Sequence, residues 1–186
     1  MHDLIALTAL GGTGPESCTV GSVSCRECPD IALASVAARL GHEAETRAAL
    51  ATLTGHTAPD IEQTSGQTVK AFWTGPDQWM LEAPFETHED LASVVKRHVK
   101  DAASVSEQTD AWTRFDLEAP DVQAVLELLC NLDCRKMAPG AAARTSIHHL
   151  GCFVLCRSAN VFSIYGPRSS ARSLQHAIIA AMNSAL

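Results

Sequence analysis

A chain of 186 residues with 46% hydrophobic and 19% charged residues can bury a sizeable core, which excludes a disordered segment. Its formal net charge of −7 and pI near 5.5 disfavour general nucleic-acid binding, and the lack of a run of about 18 apolar residues predicts no membrane span. Residues 4–10 are apolar but follow His2 and Asp3 rather than positive charge, so no secretory signal is expected. Seven cysteines in such a chain predict reduced thiols in a cytoplasmic protein.

The first part of the chain is predicted to contain a leader, a strand and a long helix. Residues 1–16 form the predicted leader, whose glycine-rich end breaks regular structure. Residues 17–27 alternate weakly in polarity, which favours a strand. Apolar residues at helical spacing predict one long helix over 31–53, ended by Gly55, and a polar loop follows over 56–67.

Aromatic and apolar runs on both sides of Gly75-Pro76-Asp77 predict an antiparallel hairpin over residues 68–82. Its second strand is expected to end at Pro84, because proline has no N–H for a sheet ladder. Neighbouring strand residues point to opposite faces, yet Phe72 and Trp73 are both apolar. Both faces of this hairpin are therefore expected to be covered.

The rest of the chain is predicted to alternate between strands and helices. In order, we expect a helix over 88–100 with Thr87 and Asp90 at capping-box spacing, a strand over 112–118, a helix over 122–132, a break at 138–140, an extended segment over 143–157 with a bend or bulge at Gly151, a strand over 161–165 and a helix over 169–182.

Two matches within the chain indicate an internal duplication. Residues 161–167 repeat the apolar pattern and the closing proline of residues 78–84, at an offset of 83. Upstream, residues 120–125 resemble residues 29–34 at an offset of 91, which implies about eight extra loop residues in the first copy. The sequence thus predicts one compact α+β domain over 17–186, made of strand–helix–hairpin–helix copies at 17–101 and 111–184.

Several cysteine and histidine groups have spacings that a metal site could use: Cys25 and Cys28 with Cys18, then Cys130 with Cys134, and then His148, His149, Cys152 and Cys156. A zinc site built on Cys25 and Cys28 needs a second ligand pair at matching distance, and none is obvious. Strand positions four residues apart are separated by about 13 Å, so the last group could not hold one ion together. Packing of the thiols as small hydrophobic groups is favoured, and no metal-binding residue is predicted.

Other chemistry-bearing residues are equally weak candidates. Asp116 and Glu118 lie on one face of a predicted strand and could act as acid and base, although a solvated edge is favoured. Three arginines near segment ends could bind a carboxylate or another subunit: Arg135, Arg144 and Arg168. The chain shows no nucleophile elbow, phosphate loop or dinucleotide fingerprint, so no catalytic or cofactor-binding residue is predicted.

Several motifs in order nevertheless resemble one known family, the gamma subunit of heterotetrameric sarcosine oxidase. The resemblance runs from about residue 20 to the end. The most specific motif is Trp-Thr-Gly-Pro-Asp-Gln-Trp at 73–79, and it is accompanied by residues 34–39, by Arg144-Thr145 after Pro139-Gly140, and by residues 167–169 with Leu174. Five cysteines are not part of the family's pattern: Cys18, Cys25, Cys28, Cys130 and Cys134.

The resemblance implies a cytoplasmic flavoenzyme complex that demethylates sarcosine to glycine, with hydrogen peroxide and methylenetetrahydrofolate as further products. It also implies that FAD, FMN, NAD and tetrahydrofolate belong to larger alpha and beta subunits and zinc to a small delta subunit. The gamma chain would carry no cofactor and would have the fold of the folate-binding domain of the glycine-cleavage T-protein. The folate-binding carboxylate of that protein has no convincing counterpart here, so no site residue is carried over.

Two alternatives stay open on the residues alone. One is a stand-alone folate-binding or aminomethyltransferase-like protein, for which Asp116 would be the first candidate carboxylate. The other is a small metal-binding interaction module that uses Cys18, Cys25 and Cys28. In the preferred interpretation the hairpin faces are covered within the chain, and the larger subunits are expected to contact the leader 1–16 and the loop 55–67.

Overall fold

The computed structural model of the chain describes residues 5–185, so residues 1–4 of the predicted leader lie outside the described residues. The chain divides into two compact units. The middle unit comprises Asp30–Asp110 and Gly140–Ala143, and the terminal unit comprises the segments before, between and after these. Each unit contains one antiparallel sheet, so the molecule is a mixed α/β protein with two antiparallel sheets.

The described residues contain strands β1 (Ser17–Val20), β2 (Val23–Glu27), β3 (Ile31–Ala38), β4 (Thr64–Gly66), β5 (Lys70–Gly75), β6 (Gln78–Pro84), β7 (Ala103–Glu107), β8 (Trp112–Glu118), β9 (Ala142–Ile147), β10 (Leu150–Ser158) and β11 (Val161–Pro167). The helices are α1 (Glu43–Thr54), α2 (Phe85–His88), α3 (Leu91–Val99), α4 (Val122–Leu129) and α5 (Ala171–Ser184). Single 3-10 turns lie at Cys134–Lys136 and Arg168–Ser170. Over residues 5–185, no helix has the length and apolar character needed to cross a membrane.

The sheet of the middle unit has the strand order β4-β5-β6-β3-β7. Its predicted hairpin is confirmed, because β5 and β6 pair on either side of the turn and β6 ends at Pro84. On one face Trp79 and Leu81 join a buried core with residues of α1 and α3, among them Leu50 and Val95. Phe72 and Met80, on the opposite face, are also buried, which confirms that both faces of the hairpin are covered.

The sheet of the terminal unit has the strand order β1-β2-β8-β11-β10-β9. Phe115 and Leu117 of β8 and Phe162 and Ile164 of β11 are fully buried on one face. Leu174 of α5 reaches this face beside Gly166, since a Cβ at Gly166 would lie 2.5 Å from the leucine Cδ2. Helix α5 therefore covers this side of the sheet, and the alternate residues of β8 and β11 point the other way.

The predicted long helix over 31–53 is wrong. Residues 31–38 form β3, and the helix α1 begins only at Glu43. Ala32, Leu33 and Ala34 are all buried, so both faces of β3 are covered. Such a strand has a continuous apolar run that its spacing alone does not distinguish from a buried helix. The upstream match at offset 91 is wrong for the same reason, because it aligned this strand with helix α4.

Smaller corrections concern boundaries and caps. The segment 17–27 forms two strands, β1 and β2, instead of one. The extended segment 143–157 is divided into β9 and β10 by a turn at His148 and His149, which both have positive φ. The bend expected at Gly151 is instead an irregularity in the pairing near Cys156. The helix predicted over 88–100 is α3, with the short α2 before it, and Asp90 makes no side-chain cap bond. The predicted strands 112–118 and 161–165 and the helices over 122–132 and 169–182 are confirmed, with shifts at their ends.

Candidate functional site

A cluster of polar side chains lies on the face of the terminal sheet opposite α5. Alternation along β8 places Arg114 and Asp116 on this face, while Phe115 and Leu117 face the helix. On the neighbouring strand β11, Ser163 pairs with Asp116 and Tyr165 pairs with Arg114, so their side chains share the polar face. Across β2, Arg26 is the register partner of Asp116. The polar residues are thus brought together from segments distant in the chain.

Asp116 is the centre of this polar cluster and is held by two partners. Arg114 donates to its carboxylate from Nε at 2.7 Å and from Nη2 at 2.6 Å, and Ser163 Oγ donates to it at 2.6 Å. The side chains of Arg114 and Asp116 are only 18% and 24% exposed. Burial alone would raise the pKa of Asp116, but the hydrogen bonds and charge of Arg114, helped by Ser163, lower it below its ordinary value. Asp116 is therefore ionised at neutral pH.

A second arginine extends the cluster along the sheet. Arg157 donates from Nε to Ser163 Oγ at 2.8 Å and from Nη2 to the Tyr165 hydroxyl at 3.3 Å. Ser163 is fully buried, and its hydroxyl already acts as acceptor for Arg157 and as donor to Asp116. Three acceptor positions of Asp116 are likewise used. The geometry suits a fixed ionic network, and it does not suit a general base, whose carboxylate must be open to a substrate proton.

Glu118 does not join this network, so the acid–base pair, the less favoured alternative in the sequence, is not assembled. It is exposed at the end of β8, beside a shallow cleft of about 290 Å³ lined by Ser22, Ser24, Pro120 and Asn160. Ser24 Oγ donates to the backbone oxygen of Glu118 at 3.5 Å. The side chain of Glu118 is thus a solvated group at a strand end, as the more conservative interpretation of the sequence expected.

Cys18, Cys25 and Cys28 lie on or just after the hairpin that β1 and β2 form. Cys18 of β1 is the register partner of Cys25 of β2, and Cys25 and Cys28 are buried. Burial, followed by Asp116, raises the pKa of Cys28 to about 12, and burial, followed by Cys18, raises the pKa of Cys25 even further. Within residues 5–185, no three histidine, cysteine or acidic side chains are placed so that they could hold a metal ion.

The other predicted groups are divided by the fold. Cys152 and Cys156 are buried in β10, whereas His148 and His149 are exposed in the turn before it. His148 is at one end of a groove of about 640 Å³ between α4 and α5, with Leu128 and His176. Cys130 follows the last residue of α4, and Cys134 begins the next 3-10 turn.

The three arginines chosen from the sequence have different surroundings. Arg135 donates to Glu127 at 2.6 Å and to Asp121 at 3.1 Å at the surface. Arg168 Nη2 donates to the backbone oxygen of Leu7 at 2.7 Å. Arg144 is exposed in β9. None of the three joins the cluster around Asp116, whose arginines the sequence analysis did not single out.

A buried carboxylate that the sequence analysis missed holds the leader. Glu27 is 1% exposed, and its two carboxylate oxygens accept from the backbone N–H groups of Leu10 at 3.0 Å and Glu16 at 3.2 Å. Arg172 of α5 also donates to the oxygen of Leu10 at 2.5 Å. The described part of the leader is therefore fixed to the terminal unit. The signal available in the sequence was a charged residue in an otherwise buried strand position, which requires a partner.

We expect Glu27→Gln to lower the free energy of unfolding by about 1–2 kcal/mol, because a neutral amide offers one acceptor where a charged group offered two. Amide hydrogen exchange at Leu10 and Glu16 should become faster. The matched control is Glu16→Gln, which changes a half-exposed carboxylate in the same region and should cost less than about 0.5 kcal/mol. Unchanged exchange at Leu10 in the Glu27 variant would contradict the assigned role.

Contacts with Trp79 and Arg47 fix the loop 55–67 of the middle unit. The fully buried Trp79 donates from Nε1 to the backbone oxygen of Pro59 at 2.9 Å. Arg47 lies over the Trp79 ring, 5.0 Å from its centroid, and donates to Asp60 at 3.1 Å. Ile61, between these contacts and β4, is exposed. Trp79 therefore fixes the position of the loop, and the loop exposes the apolar side chain of Ile61.

Comparisons with known proteins support the fold. Neither a family model nor a curated protein matches the chain. Among solved structures, it is similar to a chain of heterotetrameric sarcosine oxidase from Corynebacterium sp. U-96 in complex with pyrrole 2-carboxylate, with a TM-score of 0.78 and 22% identity. The match covers 89% of this chain and 87% of that chain.

A second match is to the glycine cleavage system aminomethyltransferase T from Bartonella henselae, with a TM-score of 0.60 and 15% identity. It covers 82% of this chain but 44% of the aminomethyltransferase, so the chain spans less than half the length of that protein. Both structural neighbours named by the sequence resemblance are thus found. At these identities the similarity establishes a shared fold: the chain folds like a sarcosine oxidase chain and like part of aminomethyltransferase T.

Proposed function

We propose that the chain is the non-catalytic gamma subunit of a heterotetrameric sarcosine oxidase complex. The observation that carries the proposal is the reciprocal coverage of the first structural match, 89% of one chain and 87% of the other. Two chains of similar length that match nearly end to end are expected for equivalent subunits. The Trp-Thr-Gly-Pro-Asp-Gln-Trp motif, which carried the sequence resemblance, lies in the β5–β6 hairpin at the core of the middle unit.

In this proposal the complex, which is cytoplasmic, oxidatively demethylates sarcosine to glycine with formation of hydrogen peroxide and, when tetrahydrofolate is present, methylenetetrahydrofolate. The alpha, beta and delta subunits are the partners and hold FAD, FMN, NAD, tetrahydrofolate and zinc. The chain contributes structure and contact surface. The exposed apolar side chains of Ile5 and Leu7 in the leader and Ile61 in the loop 55–67 suit the proposed subunit contacts.

The polar cluster around Asp116 supports a non-catalytic role for this chain. A carboxylate that already accepts three charge-assisted or hydroxyl hydrogen bonds has its charge and orientation fixed. The proposal also includes the internal duplication, with copies at 17–101 and 111–184. Its support is that residues 78–84 and 161–167, matched in the sequence, form β6 and β11, and that each strand is followed by a short helical segment and then by a longer helix, α3 or α5.

A stand-alone folate-binding or aminomethyltransferase-like protein is the second candidate, favoured by the match to aminomethyltransferase T. That candidate requires a ligand to reach a carboxylate such as Asp116, whose acceptor positions are largely occupied. The gamma-subunit proposal requires no such access to Asp116.

The test is co-purification with a measured activity. We expect the affinity-tagged chain, expressed from its own locus, to copurify with two large flavin-bearing chains and a small zinc-bearing chain. The complex should form hydrogen peroxide when sarcosine is added, while the chain purified alone should be colourless and inactive.

An isolated chain that is yellow from bound flavin would contradict the non-catalytic assignment. Tight binding of tetrahydrofolate to the isolated chain, lost in Asp116→Asn but not in Glu118→Gln, would favour the second candidate instead. Stoichiometric metal in the isolated chain, lost on replacing Cys25, would favour the metal-binding module considered from the sequence.

A further inference from the structure

Two cysteines face each other across the hairpin that β1 and β2 form at the edge of the terminal sheet. Cys18 and Cys25 are direct register partners, and both thiols are free. Side chains at directly opposite positions of an antiparallel pair point to the same face of the sheet. Cys25 is also the register partner of Leu117, so this is the face that α5 covers. The strand register therefore places the two side chains next to each other.

The hydrogen-bond pattern of the hairpin defines the spacing of this pair. The backbone N–H of Glu27 donates to the oxygen of Glu16 at 2.8 Å, so these two residues form a hydrogen-bonded pair. Hydrogen-bonded and non-hydrogen-bonded pairs alternate along an antiparallel ladder, and Cys18 and Cys25 lie two positions away on their strands. They are therefore a hydrogen-bonded pair as well, with Cα atoms about 5.5 Å apart. That separation is within the range of about 4.4–6.8 Å that disulfides span.

A disulfide at this position would nevertheless be strained. The Cβ atoms of a hydrogen-bonded pair are about 5.5 Å apart, the upper end for directly opposite residues, whereas a disulfide holds them about 3.8 Å apart. The two strands must therefore shift to close the bond. Strain makes a disulfide easier to reduce, and labile disulfides are typically regulatory or catalytic rather than structural. The geometry thus suits a bond that forms and breaks reversibly.

The sheet separates this pair from two other cysteines. The backbone N–H of Cys28 donates to the oxygen of Arg114 at 2.9 Å, so it continues the alternation of β2, and its side chain points to the opposite face. Cys156 is the register partner of Phe162 and lies on the α5 face. Three strand spacings of about 4.8 Å separate it from Cys25, which is too far for a disulfide.

The two thiols differ in their access to solvent. Cys25 is 2% exposed, whereas Cys18 is partly exposed on the edge strand. A dissolved reagent therefore meets Cys18 first, and it reaches Cys25 only through Cys18.

We propose that Cys18 and Cys25 are a reversible redox pair that exchanges with a low-molecular-weight disulfide such as glutathione disulfide. In the first step the Cys18 thiolate attacks one glutathione sulfur, the S–S bond of glutathione disulfide breaks, and one glutathione leaves as a thiolate that takes up the proton from Cys18. In the second step the Cys25 sulfur attacks the Cys18 sulfur, and the second glutathione leaves with the Cys25 proton. Two thiols and one glutathione disulfide become one protein disulfide and two glutathiones.

The bridge would lie beside the contact that fixes the leader. Glu27 follows Cys25 by two residues on β2, so their side chains share a face, and its carboxylate accepts from the N–H groups of Leu10 and Glu16. A covalent bond between Cys18 and Cys25 opposes the local opening that separates β1 from β2. We therefore expect the amide hydrogens of Leu10 and Glu16 to exchange at least about 5-fold more slowly in the oxidised chain.

The test uses the full chain, reduced and then incubated with excess glutathione disulfide at about pH 8, and it does not depend on the function proposed above. Iodoacetamide blocks the remaining thiols before digestion with trypsin and mass spectrometry without reductant. The tryptic peptide 1–26 ends at Arg26 and contains Cys18 and Cys25 as its only cysteines. We expect this peptide to be two hydrogens lighter and to regain both thiols in an about 100-fold excess of reduced glutathione.

Three variants separate the roles. Cys25→Ala should stop at a mixed disulfide that carries one glutathione on peptide 1–26. Cys18→Ser should take up no glutathione on this peptide, because the remaining cysteine is buried, and the matched control Cys28→Ser should behave like the unchanged chain. The proposal is overturned if peptide 1–26 of the unchanged chain keeps both thiols, if its disulfide joins Cys28 or Cys156 instead, if excess reduced glutathione does not open the bond, or if the leader amides exchange no more slowly after oxidation.

Discussion

Trp79→Ala is expected to lower the free energy of unfolding by about 3–5 kcal/mol, the range for removing a fully buried aromatic side chain from a core. The loss has two parts. The cavity forms among the core residues of β6, α1 and α3, and the hydrogen bond from Nε1 to the Pro59 oxygen disappears. The loop 55–67 should therefore exchange its amide hydrogens faster as well. Urea denaturation and hydrogen exchange measure the two effects.

The chain offers a matched control on the neighbouring strand. Trp73 is the direct register partner of Trp79 and faces the same side of the sheet, but it is only partly buried. Trp73→Ala should therefore cost clearly less, about 1–2 kcal/mol. Trp79→Phe keeps most of the apolar volume and loses the donor, so it should loosen the loop with a smaller loss of stability. Equal losses for the two alanine variants would show that the indole of Trp79 is not the central core residue.

Asp116→Ala is expected to lower the free energy of unfolding by about 3 kcal/mol at pH 7, the lower end of the range for removing one partner of a buried ion pair. The lower end applies because Arg114 and Asp116 keep about a fifth of their side-chain surface exposed. The variant deprives Arg114 of its bidentate acceptor and Ser163 of the group to which its hydroxyl donates. The matched control Glu118→Ala, two residues along the same strand and exposed, should cost less than about 0.5 kcal/mol.

The pH dependence of this difference gives a second measurement. The pKa of Asp116 is lower in the folded chain than its ordinary value of about 3.9 in an unfolded chain. The stability that its charge contributes is therefore present above about pH 4 and is lost as the pH falls toward and through the folded pKa. The difference in free energy of unfolding between the unchanged chain and Asp116→Ala should therefore become smaller between pH 5 and strongly acidic solution. A difference that stays constant over this interval would mean that the charge of Asp116 does not stabilise the fold.

The amino-acid sequence by itself determined the local structure of the β5–β6 hairpin, of strands β8 and β11 and of helices α3 and α5. Gly75-Pro76-Asp77 specifies a turn, prolines end β6 and β11, and apolar residues at helical spacing mark α3 and α5. These signals are contained within a few neighbouring residues. The motif at 73–79, together with the weaker motifs in the same order along the chain, indicated the fold that the structural comparison then found.

Tertiary structure decided what depends on partners distant in the chain. The segment 31–38 became a strand because β6 and β7 pair with it on both sides, and its apolar run is equally compatible with a helix until those neighbours are known. Asp116 looked like a solvated edge or a catalytic acid, and only the register of β8 against β11 places Ser163 beside it. Glu27 likewise shows no role until the leader amides reach its carboxylate. The physical reason is common to all three: burial and hydrogen bonding are set by long-range pairing, which local spacing does not encode.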